Sequence, residues 1–447
     1  MRLGKALQHV AETPHPETLD SFRSRIDSAW IQQALRATGT ATVRRRRLPA
    51  EQVIWLVLGM AYLRDRAIVE VVDSLDLALP GGRSTPVAPS AVSQARGRLG
   101  AEPLATLFDI CASHWADASV DRHRWRGLAV YGADGTTLRV ADTPTNRAHF
   151  GGPSYGGGGK GSYPQLRLVA LMALRSHIVV AASFGPYGVG EVTHARDLWA
   201  KLPSNSVCVV DRNFLAADVL IPLTRDDTSR HWLGRAKSNT KWRVLECLGT
   251  DDYLVEREVS AQARKRDPSL PKVWHVRAIR YQRKGFAPQW LMTSLLDPEA
   301  YPAREIIALY HERWELELAY DEIKTEVLDR EETLRSRSPE RVAQEIWGIL
   351  LAYNLVRVEM ERVAEDLRVE PTRISFVYSL HRICEEWWWD ASAAPGAIPR
   401  HLRNLRDRMR RYVLPPRRSE RAYPRAVKIP MSSYPSKRRL QRPAGPK

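Results

Sequence analysis

The chain has 447 residues, which is long enough for two or three domains that bury a sizeable core. Its formal charge of +17 predicts a polyanionic partner, nucleic acid before a membrane surface. The longest apolar run, Val53 to Leu63, has 11 residues and is too short to cross a bilayer. The cysteines show no metal-ligand spacing. We therefore expect a cytoplasmic protein with reduced thiols and no membrane partner.

Residues 1–120 are predicted to form a helical N-terminal domain. Apolar residues from Phe22 to Leu35 recur at a helical period, and Pro49 begins a second, buried helix. A polar and basic helix around Arg96 follows. An arginine cluster precedes the buried helix: Arg44, Arg45, Arg46 and Arg47. This combination is compatible with DNA binding, and a plain helical packing domain explains it equally well.

From about residue 127 the pattern changes from helices to strands. The apolar runs Leu128–Ala133 and Ser206–Val210 read as buried strands that end at Asp134 and Asp211. Strands followed by helices predict an α/β core, which we assign to residues 121–335. Two further strands, a short helix and a β-rich insertion are predicted at 165–174, 177–184, 194–202 and about 229–296.

One long helix is predicted over residues 302–329, since this stretch has many strong helix formers and a proline near its start. Positions seven apart drift by only roughly 20° on a helix, so Tyr310, Glu317 and Lys324 would share one stripe with Arg313 beside it. This face could hold a metal and a phosphate together. A solvated face with i,i+4 charge pairs would show the same pattern.

The C-terminal part divides into two regions. Residues 336–400 are predicted to be helical. Residues 401–447 contain 15 Lys and Arg and 2 acidic residues, so they contribute 15 − 2 = +13 to the net charge. Their Pro, Ser and Arg content predicts an extended, flexible tail that binds phosphates in a salt-sensitive way.

Asp134 and Asp211 are candidate ligands because ligands in open α/β sheets collect near the ends of strands. From position alone, Asp142 or Asp197 could take the same role. Three acids brought together cannot all stay ionised without a cation, and oxygen ligands without a Cys/His set favour Mg²⁺ or Mn²⁺.

These motifs together resemble those of bacterial insertion-sequence transposases of the DDE type, in the class with a Tyr-x2-Arg-x3-Glu-x6-Lys signature. The signature is complete in the predicted helix: Tyr310, Arg313, Glu317 and Lys324. Asp134 opens an Asp-Gly-Thr motif, and Asp211 opens Asp-Arg-Asn-Phe, where the family has Gly in place of Asn213. Asn tolerates a left-handed backbone better than most residues, and the resemblance extends over nearly the whole chain.

The resemblance implies an RNase H-like catalytic core with a β-rich insertion. Asp134, Asp211 and Glu317 would coordinate two Mg²⁺ ions, with Mn²⁺ able to substitute. The expected substrates are the terminal inverted repeats of an insertion sequence and target DNA, both double-stranded. The expected reaction is cut-and-paste transposition through a hairpin intermediate, and pairing of two DNA ends implies a homodimer on DNA.

The resemblance also implies DNA contacts. Tyr310, Arg313 and Lys324 would hold phosphates near the scissile bond, and Trp314 would stack near the DNA end. A tryptophan of the insertion would fill the space left by a flipped base, while most of the others pack in the core: the choice lies among Trp232, Trp242, Trp274 and Trp290. Two alternatives stay open at this point, an inactive DNA-binding protein from a decayed element and a metal-dependent nuclease without strand transfer.

Overall fold

The computed structural model describes residues 26–40, 48–75, 87–155, 159–160, 163–225, 229–283, 286–328, 333–390 and 398–416. Only the backbone is described for 154–155, 159–160, 386–390 and 398–402. The arginine cluster at 44–47 lies outside these ranges, so its role in DNA binding stays a prediction. None of the described helices is both long and apolar enough to cross a membrane.

The described chain alternates helices and strands in the order expected for an α/β core between helical regions. The α-helices are α1 Ser28–Ala37, α2 Ala50–Tyr62, α3 Ile68–Ser74, α4 Pro89–Leu99, α5 Glu102–Val120, α6 Pro144–Phe150, α7 Glu191–Leu198, α8 Ala217–Arg225, α9 Ala261–Arg266, α10 Ala303–His311, α11 Trp314–Asp321, α12 Pro339–Leu367, α13 Phe376–Asp390 and α14 Ile398–Met409. The strands are β1 Ala129–Val140, β2 Ser154–Tyr155, β3 Gly159–Lys160, β4 Gln165–Ala173, β5 Val179–Pro186, β6 Ser206–Val210, β7 Arg230–Arg235, β8 Arg243–Gly249, β9 Asp252–Glu258, β10 Val273–Tyr281, β11 Gln289–Thr293 and β12 Thr333–Leu334.

One large sheet organises the fold. Its strand order is β5-β4-β1-β6-β7-β11-β10-β9-β8, and β12 pairs with the far end of β1. β1 is antiparallel to β4 and parallel to β6, and β6 is parallel to β7. Every residue of β6 is buried, as expected for the apolar run of a central parallel strand. Three antiparallel strands followed by two parallel ones form an RNase H-like core, so the predicted fold class is confirmed.

The β-rich insertion extends this sheet. β11 pairs antiparallel with β7, and β10, β9 and β8 follow outward from it. β7 itself pairs with β6 and is therefore a core strand. The insertion therefore begins after β7, later than the predicted start at about 229. β7 carries a tryptophan and apolar residues, as the strands of the insertion do, so composition does not distinguish the core strand from the insertion.

The long helix α12 joins the N-terminal and C-terminal helical regions. It contacts α2 and α5 as well as α13. Gly348 allows a close approach to α2, since a Cβ at this position would lie 2.6 Å from Cγ1 of Val57. The two helical regions therefore share one packed interface through α12.

The basic helix α4 directs one of its arginines into the protein. Arg96 is 4% exposed and donates to the side chains of Gln344 and Ser336. Arg98 on the same helix is exposed. Arg96 therefore anchors α4 to α12. Because its side chain is buried, it is not available for the DNA binding predicted for this helix.

The predicted flexible tail begins later than residue 401. Helix α14 continues to Met409, and both Leu405 and Met409 are buried. Arg406 donates to Glu359, whose side chain is 1% exposed. The prediction was wrong for this segment because two apolar anchors are enough to dock a helix that is otherwise basic. Residues 417–447 lie outside the described part of the chain.

Candidate active site

Two neighbouring parallel strands bring Asp134 and Asp211 together. Ala133 on β1 pairs with Val210, the last residue of β6, and each aspartate is the next residue along the chain. Adjacent strands lie about 4.8 Å apart, so the two carboxylates start from neighbouring backbone positions. Asp142, an alternative that the sequence left open, lies eight residues beyond Asp134 and two residues past the end of β1.

β1 does not end at Asp134 as predicted. It continues to Val140, paired with β4 along its length, whereas β6 stops at Val210. Beyond this point β1 no longer has β6 beside it, so Asp134 lies next to the space past the end of β6. The apolar run ended at 133 because the strand becomes partly solvated there, and a change of burial within a strand resembles a strand end in the sequence.

Arg313 connects the first acid to the third. Its Nη1 lies 3.5 Å from Oδ2 of Asp134, and its Nη2 donates to Oε1 of Glu317 at 2.8 Å. The Arg313 side chain is 17% exposed and that of Glu317 is 39% exposed. The guanidinium therefore lies between two of the three candidate ligands and holds them on one surface.

The segment that carries Glu317 is not the single helix that the sequence predicted. It consists of α10, a break at Glu312 and Arg313, the helix α11, and a π-helical turn over Glu322–Val327. The amide of Arg313 donates to the carbonyl of Tyr310, three residues back, so the backbone is tightened at the break. Lys324 lies in the π turn, so its direction no longer follows the seven-residue stripe.

A buried network fixes this segment to the rest of the core. Nε2 of His177, in the turn after β4, lies 2.8 Å from Oε2 of Glu315. Arg357 of α12 is hydrogen-bonded to Glu322 and, at 2.7 Å, to Nδ1 of His177. Burial alone would raise the pKa of Glu322, but Arg357 and His177 hold it at about 2. These acids flank Glu317 and orient the helix that presents it.

The carboxyl group of Asp134 lies in an environment that disfavours its charge. Burial raises its pKa to about 6, and the negative charges of Asp211 and Glu191 add to this effect. The Gly135 amide, which donates to Oδ1 at 2.8 Å, and Arg313 act in the opposite direction without cancelling it. A metal cation would supply the positive charge that this carboxylate lacks.

Tyr320 was not singled out from the sequence, yet it contacts the first acid directly. Its hydroxyl donates to the backbone carbonyl of Asp134 at 2.6 Å and accepts from the amide of Ala170 at 3.1 Å. Tyr320 thus ties α11 to β1 and β4 beside the site. Its position three residues after Glu317 was the available signal, because residues three apart lie on neighbouring parts of a helix face.

Tyr310 and Trp314 lie on either side of Arg313. Tyr310 is 7% exposed, and burial raises its pKa, with Arg313 and Asp211 among the charges near it. Trp314 is 41% exposed at the start of α11. Of the predicted DNA-contacting residues, Tyr310 and Arg313 are therefore close to the acids, and Trp314 presents its ring at the surface.

A basic and aromatic cleft of about 710 Å³ adjoins the site. Its lining begins at the residue after Asp211 and includes Arg212, Asn213, Arg235, Lys237, Trp242 and Trp290. The rings of Trp242 and Trp290 meet with centroids 5.1 Å apart. Trp232 and Trp274 pack against each other in the core, with exposures of 1% and 8%, which confirms core packing for these two.

The acids have the donor chemistry of a site for Mg²⁺ or Mn²⁺, since all three offer carboxylate oxygens. Among the described residues, no three metal-binding side chains are grouped closely enough to hold an ion as they stand. Arg313 supplies a positive charge between Asp134 and Glu317. The residues therefore fit a divalent cation, which would supply the positive charge that Arg313 supplies in this structure.

Comparison with known proteins defines the class. The family described as "Transposase DDE domain" matches residues 125–355, and the family described as "Insertion element 4 transposase N-terminal" matches residues 16–109. The RNase H-like core and these matches define a transposase with a DDE domain. This chain belongs to the IS4 family of insertion-sequence transposases, as the resemblance predicted.

Two curated relatives come from Escherichia coli (strain K12). The transposase InsG for insertion sequence element IS4 is 37% identical over 438 residues, which cover 98% of each chain. InsZ is 35% identical over 283 residues, 61% of this chain and 93% of InsZ. A solved piggyBac transposase synaptic complex with hairpin DNA covers 90% of this chain and 86% of its own at 12% identity, and its TM-score of 0.39 is too low to support an argument about this protein.

Proposed function

We propose that the protein is a cut-and-paste DNA transposase in which Asp134, Asp211 and Glu317 hold two divalent ions, Mg²⁺ with Mn²⁺ able to substitute. The observation that carries the proposal is the position of the acids: two directly follow paired residues of parallel strands, and Arg313 connects one of them to Glu317. Membership of a DDE transposase family supports the same assignment. When bound, two such ions activate the attacking oxygen and stabilise the leaving oxygen of a phosphodiester.

The residues around the acids have separate proposed tasks. Arg313 would bind the scissile phosphate when a metal is held by the carboxylates, because its planar guanidinium is well suited to a phosphate. Tyr310 and Lys324 contact flanking phosphates, and Trp314 stacks on the DNA end. The arginines at 44–47 add phosphate contacts from the N-terminal region.

The proposed substrates are the inverted repeats at the ends of the insertion sequence, followed by target DNA. A freed 3′-hydroxyl would attack a phosphodiester of the opposite strand, which forms a hairpin and releases the flanking DNA with a 3′-hydroxyl. Water would then hydrolyse the hairpin before strand transfer. Both ends of the element have to be held together, so we propose that a homodimer assembles on DNA.

The cleft beside Asp211 is the proposed site for a flipped base. A displaced base needs an aromatic face and nearby cations for its phosphates, and the cleft offers Trp242, Trp290 and Arg212. Replacing Trp290 by Ala is expected to reduce hairpin formation more than the initial nicking of the strand, since stacking on an extruded base contributes about 1–3 kcal/mol. Replacing Trp232 by Ala tests a buried tryptophan and is expected to lower stability.

The experiment uses purified protein, Mg²⁺ and duplexes that end in the inverted repeats flanking the coding region. Denaturing gels separate nicked, hairpin and strand-transfer products. Asp134→Asn, Asp211→Asn and Glu317→Gln are each expected to reduce cleavage by at least about 10²–10³-fold while mobility-shift assays show DNA binding retained. Asp142→Asn, an exposed aspartate paired with Arg147, is the matched control and is expected to keep full activity.

Each alternative gives a distinct result in this experiment. A DNA-binding protein from a decayed element would bind the repeat ends without nicking them. A nuclease without strand transfer would nick the ends but give no hairpin or joined product. Full cleavage by Glu317→Gln would remove Glu317 from the proposed site.

A further inference from the structure

We propose that Glu191 is a fourth carboxylate of the catalytic centre and strengthens the binding of the divalent ion at Asp134. It would do so by accepting a hydrogen bond from a water on that ion. The inference rests on the proposed function, because it assumes that Asp134 is a metal ligand. Glu191 lies on α7, in a segment that the transposase motifs do not include.

Glu191 lies directly against Gly135, the residue after Asp134. A Cβ built at position 135 would lie 2.5 Å from Cγ, 2.7 Å from Cδ and 2.8 Å from Oε1 of Glu191. Such distances are far inside van der Waals contact, so the carboxylate occupies the space that a side chain at 135 would need. The glycine of the Asp-Gly-Thr motif is required here to admit a carboxylate, and its φ angle is not positive.

Arg167 pairs with one oxygen of the Glu191 carboxylate. Its Nη1 donates to Oε1 of Glu191 at 2.7 Å, and the same guanidinium lies 5.2 Å from the centre of the Tyr187 ring. Among the described residues, none donates a hydrogen bond to Oε2 of Glu191. One oxygen is therefore held by the protein, and the other can accept a hydrogen bond from a bound water.

The charge around Asp134 also favours a cation. Glu191 and Asp211 both add negative charge there, and Arg313 is the positive group that acts on Asp134. The Glu191 side chain is 24% exposed, so its field is less screened than that of a surface carboxylate. Outer-sphere carboxylates of this kind typically change metal affinity about 10–100-fold.

The competing explanation is that Glu191 only anchors α7 through its ion pair with Arg167. The two explanations differ in what removal of Arg167 does to metal binding. If the ion pair is all that matters, Glu191→Gln and Arg167→Gln have the same effect. If Glu191 serves the ion, loss of Arg167 frees its carboxylate, and metal binding is unchanged or tighter.

The test measures Mn²⁺ binding to the full-length protein without DNA, by isothermal titration calorimetry. Glu191→Gln is expected to raise the dissociation constant about 10-fold, at the lower end of the outer-sphere range. Arg167→Gln is expected to leave it unchanged or lower it. The matched control is Glu305→Gln, a glutamate that is 31% exposed and paired with Arg126 outside the site, and it is expected to leave Mn²⁺ binding unchanged.

Asp134→Asn separates failure of this inference from failure of the proposed function. If Asp134→Asn weakens Mn²⁺ binding and Glu191→Gln does not, Glu191 has no role toward the ion and the three-acid site stands. If neither variant weakens binding, the proposed function itself is contradicted. If Glu191→Gln and Arg167→Gln weaken binding equally, Glu191 acts only as an anchor for α7.

Discussion

Asp134→Asn is expected to stabilise the metal-free protein, because an ionised Asp134 is unfavourable in the folded state. Its pKa is raised from 3.8 to about 6, mainly by burial, and its side chain is 20% exposed. A displacement of this size corresponds to about 3 kcal/mol at most. Asparagine retains an oxygen that accepts the Gly135 amide, but it loses the attraction to Arg313, so we expect a net gain of about 1–3 kcal/mol.

The pH dependence follows from the sign of this shift. Because the folded state binds the proton more tightly than the unfolded state, stability falls as the pH rises from about 4 to about 6 and then levels off. Urea unfolding with a chelator should therefore show the advantage of Asp134→Asn in full at pH 8 and almost none near pH 4. Asp142→Asn should change stability by less than about 0.5 kcal/mol at both values. A loss of stability on Asp134→Asn at pH 8, or a gain that does not depend on pH, would refute the reasoning.

Gly135→Ala is expected to cost about 1–3 kcal/mol in urea unfolding and to reduce cleavage, because the new methyl group displaces Glu191; unchanged stability would show that the carboxylate moves freely. Arg277→Ala should cost about 3–5 kcal/mol, since it leaves Asp252 buried without its partner. The same change at the exposed Arg243, which pairs with Glu256, should cost less than about 1 kcal/mol, and equal losses would contradict the role of burial. Deletion of residues 417–447, which hold 10 Lys and Arg against one Glu, should lower the salt dependence of DNA binding while cleavage of the repeat ends is kept; an unchanged salt slope would mean that this segment does not contact phosphates.

The pairing of Asp134 and Asp211 could be predicted because both follow apolar runs that form neighbouring strands. Burial on both faces requires a continuous apolar sequence, so these strands were visible in the sequence. What could not be predicted was that β1 continues past Asp134. The strand changes from buried to half-buried at this residue, and periodicity does not distinguish that change from a turn.

The segment around Glu317 was predicted as one continuous helix, and its break and its π turn could not be predicted. Its composition favours helix throughout, and no proline or glycine marks the break at Arg313 or the π turn that carries Lys324. Tertiary contacts set these features, since Glu315 and Glu322 are held by His177 and Arg357 from distant parts of the chain. Local propensity contains no information about such partners.

Glu191 and Tyr320 could not be predicted as residues of the site for the same reason. Each is an ordinary helical residue in the sequence, and each becomes relevant only when its helix packs beside Asp134. The Asp-Gly-Thr motif by itself does not explain why position 135 is a glycine. A glycine inside a strand often indicates close approach of another group, and here that group is a carboxylate.

We propose that Asp134, Asp211 and Glu317 hold the divalent ions of one shared centre, and iron-directed cleavage of the polypeptide is a direct test of this proposal. Fe²⁺ bound in place of Mg²⁺, with ascorbate and peroxide, cuts the backbone near its ligands. Cuts are expected near all three residues. Excess Mg²⁺ and any one of Asp134→Asn, Asp211→Asn or Glu317→Gln should suppress all of them. Cuts at only one of these positions, or cuts that persist when one of the other acids is replaced, would contradict it.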